Sequence, residues 1–208
     1  MIVEQLPVGP LQANCYVVGC EATQAGVIID PGDEADRILA TVEKHNLKIA
    51  YVLLTHAHFD HIVACAEVAR ATKAPVGLHK EDLALLKAGG GAAAWNFPMP
   101  EYKEPDLWLE EGNLITFGEH TFEIYFTPGH APGHVSFHEA TANVIFDGDV
   151  LFAGSIGRTD LPGGSYDVLM TSIEEKLMVL PDKTVVCSGH GPATTIGQER
   201  LSNPFLQM

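Results

Sequence analysis

Ile49-Ala50-Tyr51-Val52-Leu53-Leu54-Thr55-His56-Ala57-His58-Phe59-Asp60-His61 is the stretch on which the fold turns. Ile49–Leu54 is a nearly continuous apolar run, the pattern of a strand buried on both faces. In an extended segment alternate residues face the same way, so His56 and His58 point at one cation. Asp60 and His61 fall at the start of the following helix, Ile62–Thr72, and are re-aimed towards a second. Imidazole and carboxylate together suit zinc, iron or manganese.

Three further residues of ligand type sit in the same local context. His130 follows the strand pattern Phe122–Phe126 in Thr127-Pro128-Gly129-His130. Asp149 follows Val144–Phe146 in Asp147-Gly148-Asp149, and His190 follows Thr184–Cys187 in Ser188-Gly189-His190-Gly191. Each lies in a glycine-containing turn just past a strand end, where a rigid scaffold presents functional groups. His134 is read as a residue that orients a neighbouring ligand. Asp147 is expected to bond turn amides and Thr55 to do similar supporting work. His45, His79, His120 and His138 are read as solvated or incidental.

The flanking pattern is one of strands interleaved with helices in both halves. Ile2–Leu6, Asn14–Val18, Val27–Ile29 and Pro75–Leu78 are strands of the first half, with helical spacing at Ile38, Leu39 and Val42 and again over Glu81–Lys87. The second half has Leu107–Leu109, Leu114–Phe117, Phe122–Phe126, Val135–Phe137 and Val144–Phe146. A long amphipathic helix over Tyr166–Val179 and a last strand, Thr184–Cys187, complete it. Two packed sheets with helices outside follow from this order. Gly89–Ala94 reads as a surface loop or flap, and residues 1–208 as a single domain.

His56-Ala57-His58-Phe59-Asp60-His61, with Pro128-Gly129-His130, Gly148-Asp149-Val150-Leu151-Phe152 and Ser188-Gly189-His190-Gly191-Pro192, resembles the metallo-β-lactamase superfamily. Within it the chain is similar to the short bacterial hydroxyacylglutathione hydrolases of the glyoxalase II type. The resemblance implies an α/β (α+β) fold, an αββα sandwich of two mixed sheets with the site at one edge. It also divides the ligands of two divalent ions, zinc first and iron or manganese as alternatives. His56, His58 and His130 take one ion, Asp60, His61 and His190 the other, and Asp149 bridges. The implied reaction is hydrolysis of glutathione thioesters such as S-D-lactoylglutathione by a metal-bridging hydroxide, with Asp60 orienting the nucleophile. Neither Tyr166 nor His134, the two available acids, is singled out by the sequence, which favours a thiolate leaving group over an amine.

Arg158 occupies the position where these enzymes carry a lysine that contacts glutathione, and is expected to bind a substrate carboxylate or else to pair with Asp160. Three departures from the family pattern stand out. Asp160 replaces a tyrosine, Val63 replaces a glycine, and the helical C-terminal domain of longer relatives does not follow His190. His134 stands where persulfide dioxygenases place cysteine. Those single-iron enzymes, which would use His56, His130 and Asp149, are the first alternative. A lactonase or β-lactam hydrolase is the second, and an idle metal-binding protein the third.

The bulk numbers fit this reading. Of 208 residues 46% are hydrophobic, enough for a substantial core. A formal net charge of -15 repels phosphate backbones and anionic lipid, so neither nucleic acid nor membrane is an expected partner. A small-molecule substrate is expected instead, since cations invert the field inside a pocket. The N-terminus lacks a basic segment before an apolar run, and the expected compartment is the cytoplasm. Cys15, Cys20, Cys65 and Cys187 show no paired spacing and read as reduced, structural thiols.

Overall fold

The computed structural model describes residues 1–207. The first half lays down β1 (Ile2–Val8), β2 (Ala13–Gly19), β3 (Ala25–Ile29), β4 (Lys48–Leu53), β5 (Val76–Leu78) and β6 (Leu107–Trp108), which form one sheet in that spatial order. The β1–β2 and β2–β3 pairs are antiparallel, while β3 to β6 are parallel. Helices α1 (Ala35–Lys44), α2 (Phe59–Ile62), α3 (Cys65–Thr72) and α4 (Leu83–Lys87) fill the crossovers. The second half contributes β7 (Leu114–Phe117), β8 (His120–Phe126), β9 (Val135–Glu139) and β10 (Val144–Gly148). A small hairpin, β11 (Leu151–Phe152) and β12 (Ser155–Ile156), follows, then α5 (Tyr166–Ser172), β13 (Val185–Ser188), β14 (Thr194–Thr195) and α6 (Ile196–Ser202). Its sheet runs β14-β13-β10-β9-β8-β7, with β10 and β13 the parallel pair.

Strand alternation sorts the apolar residues into three cores. Val27 and Ile29 of β3, Phe122 and Ile124 of β8, and Val144 and Phe146 of β10 meet between the sheets. Ile28 faces the opposite way, towards Ile38 and Val68 of the first helical layer. Ile145 and Val186 face Leu169, Ile173 and Leu177 of the second. Phe117, Phe122, Phe137 and Phe146 are among the largest fully buried side chains of the inner layer, each worth about 1.5–3 kcal/mol of burial. The layering is thus the expected αββα sandwich. Among the described residues, no helix is long and apolar enough to cross a membrane.

Three local readings need correction. The helix expected over Ile62–Thr72 is two pieces, α2 and α3. The Ala64 amide donates to Pro31 O at 3.0 Å, outside the helix. A Cβ on Gly32 would lie 1.9 Å from Asp60 O, so the turn after β3 packs directly on this helix start. The helix from Tyr166 changes at Ile173 into a π turn, where Met178 N bonds Ile173 O at 2.8 Å. Helix α6 was not read from the sequence, although Thr195-x-x-Gln198 is a capping signal and Thr195 Oγ1 accepts from Gln198 N at 3.2 Å.

Gly89–Trp95 is a pair of tight turns in which Gly89, Gly90 and Ala92 are buried. Gly90 has φ of 65°, and a Cβ there would meet Phe59 N at 2.4 Å. The segment therefore packs against the His56–Asp60 turn.

Candidate metal centre

The turns after β3, β4, β8, β10 and β13 all open at the same edge of the sandwich. Direct bonds tie the two sheets together there. Val135 N donates to Thr55 O at 2.8 Å, Asn14 N to Gly189 O at 2.7 Å, and Tyr16 Oη to Ser188 O at 2.7 Å. Seven side chains read from the sequence come together on this frame. His58 Nδ1 and His130 Nε2 are 2.8 Å apart, and with His56 they form one group of facing donors. Asp60, His61 and His190 form another, with His190 Nε2 3.2 Å from Asp60 Oδ2. Asp149 lies between them: Oδ1 is 3.6 Å from His61 Nε2, and Oδ2 is 3.5 Å from His130 Nε2 and 3.6 Å from His190 Nε2.

This donor set fits two cations. His56 Nε2, His61 Nε2 and Asp149 Oδ1 are buried and bond nothing among the described residues. Buried polar atoms are otherwise almost always satisfied, so such atoms within the two donor groups and on Asp149 between them mark places for ligands. Burial, reinforced by the surrounding imidazoles, holds His56 well below the ordinary histidine range. Burial, then His130, brings His58 down to about 3, so both rings keep a free lone pair. Burial also opposes a charge on His61, yet Asp60, Asp149 and Asp30 outweigh it and push the ring up to about 10. Burial likewise opposes ionisation of Asp60, and His61 and His190 more than offset it, leaving the carboxyl below its usual range. Carboxylates gathered around a buried imidazole in this way call for positive charge.

The far nitrogens of the imidazoles are held in turn. His56 Nδ1 lies 3.0 Å from Thr55 Oγ1, His61 Nδ1 3.1 Å from Asp30 Oδ2, and His130 Nδ1 2.8 Å from Arg158 O. Such contacts fix tautomer and orientation. His134 is fully buried; its Nε2 accepts from Asp149 N at 3.1 Å and its Nδ1 meets Thr127 Oγ1 at 3.0 Å. Asp147 Oδ2 accepts from Leu151 N at 2.9 Å, a turn amide as expected.

Asp30 is the residue that sequence reading missed. Its Oδ1 accepts from Thr55 N at 2.7 Å and its Oδ2 from Thr55 Oγ1 at 2.6 Å, besides meeting His61. It sits at φ of 50°, an uncommon conformation for a residue with a side chain. The signal was available: Ile28-Ile29-Asp30-Pro31-Gly32 is an acidic residue in a glycine turn past a strand, the context of the other ligands. Two solvated-histidine readings also need correction. His79 is buried, accepts from Glu81 N and stacks on Phe126 at 4.4 Å, and His138 is buried against Tyr125 Oη at 3.0 Å.

A cleft of about 500 Å³ opens over the cluster. Its walls are mostly apolar: Leu11, Leu85, Trp95, Phe152, Ile156 and Leu161 are among them. Arg158 stands on its rim, paired with both oxygens of Asp160 at 2.7 and 2.8 Å and 5.5 Å over the Trp95 ring. Tyr166 is not in this cleft but lines a separate groove with Met170, Met178 and Phe205. All four cysteines are free and buried.

Comparison with known proteins agrees with the geometry. The Metallo-beta-lactamase superfamily model matches residues 8–190. A Haemophilus influenzae protein named hydroxyacylglutathione hydrolase GloC is 40% identical over 99% of this chain and 98% of its own. The structure of BLEG-1, a B3 metallo-beta-lactamase, aligns over 100% of both chains with TM-score 0.94 and 42% identity. TTHA1623, solved in a di-iron-bound form, aligns over 98% of this chain and 100% of its own with TM-score 0.90 and 44% identity.

Proposed function

Because this chain belongs to the metallo-β-lactamase superfamily and is a metallo-hydrolase, we propose that it cleaves thioesters of glutathione, S-D-lactoylglutathione among them. One observation carries the choice of leaving group. Among the described residues that line the cleft, the hydrogen-bonding side chains other than the seven cluster residues are Ser155, Arg158 and Trp95. None is a proton donor of suitable acidity, and the two acids considered from the sequence are elsewhere or engaged. An expelled amine needs a proton; a thiolate does not. The name of the Haemophilus influenzae relative supports the same substrate class.

His56, His58 and His130 would hold one ion and Asp60, His61 and His190 the other, with Asp149 common to both. When bound, such ions supply a Lewis acid for the carbonyl and a water acidic enough to ionise near neutral pH. The protein's own part is positional. Asp60 accepts a hydrogen bond from the attacking water and turns its lone pair to the carbonyl carbon. The apolar walls keep bulk water from the acyl group. The complete set around Asp60, His61 and His190 favours this two-ion reading over a single-iron oxygenase, which needs only three ligands.

Arg158 is the residue for a glutathione carboxylate, with Asp160 as its partner in the substrate's absence. Their side chains are 45% and 69% exposed, and exposed pairs are worth little, so exchange of one carboxylate for another is easy. Steady-state hydrolysis of S-lactoylglutathione, followed by loss of thioester absorbance in zinc-, iron- or manganese-loaded protein, tests the assignment. Arg158→Met is expected to raise KM about tenfold with kcat nearly unchanged, the loss of one charged hydrogen bond. Asp160→Asn is expected to lower KM about twofold to fivefold, the worth of an exposed pair. Absence of turnover with all three metals, or turnover of β-lactams and lactones in preference, would overturn the substrate assignment.

A further inference from the structure

We propose that Asp82, which no motif marks, is a positioning residue: its buried carboxylate bolts together the two loops that carry His56, His58 and His130. Asp82 lies at the start of α4 and is wholly buried. Its Oδ2 accepts the amide of Ala57, the residue between His56 and His58, at 2.8 Å. Its Oδ1 accepts the amide of Gly133, three residues after His130, at 2.5 Å. One side chain thus spans two turns far apart in sequence. Both of its oxygens are used, and both bonds are charge-assisted.

The fit around Asp82 is close on every side. A Cβ on Gly133 would lie 2.5 Å from Asp82 N, so only glycine lets that loop approach the carboxylate. A Cβ on Gly90 would lie 2.5 Å from Ala57 O, so the segment after α4 packs against the next peptide of the same turn. Residues 82–90 therefore pack beneath the His56–His58 turn, and Asp82 ties its main chain to that of the His130 turn. The other group is held differently. Asp60 and His61 share one helix start, and the His190 turn is held by Asn14, whose Nδ2 donates to Ser188 O at 2.8 Å and Gly191 O at 2.9 Å. Among the described residues, the Asp82 side chain hydrogen-bonds to neither.

The inference rests on the two-cation reading, and its signature is selectivity between the two groups. In Asp82→Asn one amide N–H must face the new NH2, so one loop loses its anchor while side-chain volume is kept. Zinc-loaded wild-type and variant proteins are to be titrated with a competing chelator, with zinc retained per chain as the readout. Nitrogen-15 histidine spectra identify which imidazoles release the metal. The expected result is one zinc lost at 10- to 100-fold lower chelator strength, the usual cost of removing a group that orients ligands. It should be released from His56, His58 and His130, with His61 and His190 unchanged. Gly133→Ala, which wedges the same contact apart from the other side, is expected to reproduce the selective loss and serves where Asp82→Asn does not fold. Equal weakening of both zinc ions, or no weakening in either variant, overturns the role given to Asp82. Wild-type protein that takes up no zinc contradicts the metal centre itself, and the role of Asp82 with it.

Discussion

Asp149→Ala is expected to lower kcat/KM for thioester hydrolysis by roughly 1,000-fold or more, because cations that stabilise transition-state charge are worth several kcal/mol and each 1.36 kcal/mol is tenfold. Asp149 lies within 3.6 Å of nitrogens in both ligand groups. On the proposed two-ion reading, its removal would take a donor from each ion at once. The fold should survive. The carboxylate is an acceptor with one oxygen left unbonded in the protein, and what fixes the turn is the main chain: Gly189 N to Gly148 O at 2.7 Å and Gly157 N to Val150 O at 3.0 Å. The metal-free variant should therefore melt close to the metal-free parent. The rise in melting temperature on adding zinc, which follows ligand affinity, should shrink. Activity within tenfold of the parent, with two zinc ions retained, would contradict the bridging role.

The second large effect is expected at Asp30, and the two replacements there separate structure from chemistry. In Asp30→Ala the buried amide and hydroxyl of Thr55 and Nδ1 of His61 all lose their acceptor. At about 1–3 kcal/mol for each buried unsatisfied group, the loss is roughly 3–9 kcal/mol, a large share of the 5–15 kcal/mol typical of a domain. Much of this variant should be unfolded or poorly expressed. Asp30→Asn keeps an acceptor for Thr55 N but turns an NH2 towards His61 Nδ1. The imidazole then has reason to place its proton on Nε2, the nitrogen that faces Asp60 and Asp149. Zinc affinity at the Asp60–His61–His190 group should fall about 10- to 100-fold while melting of the metal-free protein changes far less. Isothermal titration with zinc and thermal melting measure the two effects separately. Equal metal affinity in Asp30→Asn would show that the carboxylate does not set the His61 tautomer.

Much of this centre was legible because its residues share a local grammar. A histidine or aspartate in the turn just past a strand recurs at His56, His130, Asp149 and His190, with a glycine in the turn at the last three, and the two-sheet sandwich that brings the strand ends together follows from the strand order. The same grammar covered Asp30, but a lone acidic residue before Pro-Gly also reads as an ordinary turn former. Asp82 had no such cue: acidic residues are common in the first turn of any helix. Its role exists only because α4 passes beneath two loops from elsewhere in the chain. The division of Ile62–Thr72 into α2 and α3 was hidden for the same reason, since Gly32 and Pro31 intervene from another part of the chain. The π turn after α5 has no evident cue in sequence. Arg158 shows the opposite case, where both readings made from sequence, pairing with Asp160 and a place beside the site, describe the same side chain.

Two cations held by seven side chains are the centre proposed for this protein. Diffraction from crystals grown with zinc, with anomalous data collected on either side of the zinc absorption edge, tests this directly. Two peaks are expected, one bonded by His56, His58 and His130 and the other by Asp60, His61 and His190, with nitrogens at about 2.0–2.1 Å and Asp149 reaching both. A single peak at full occupancy, or zinc bound only away from these residues, would contradict it.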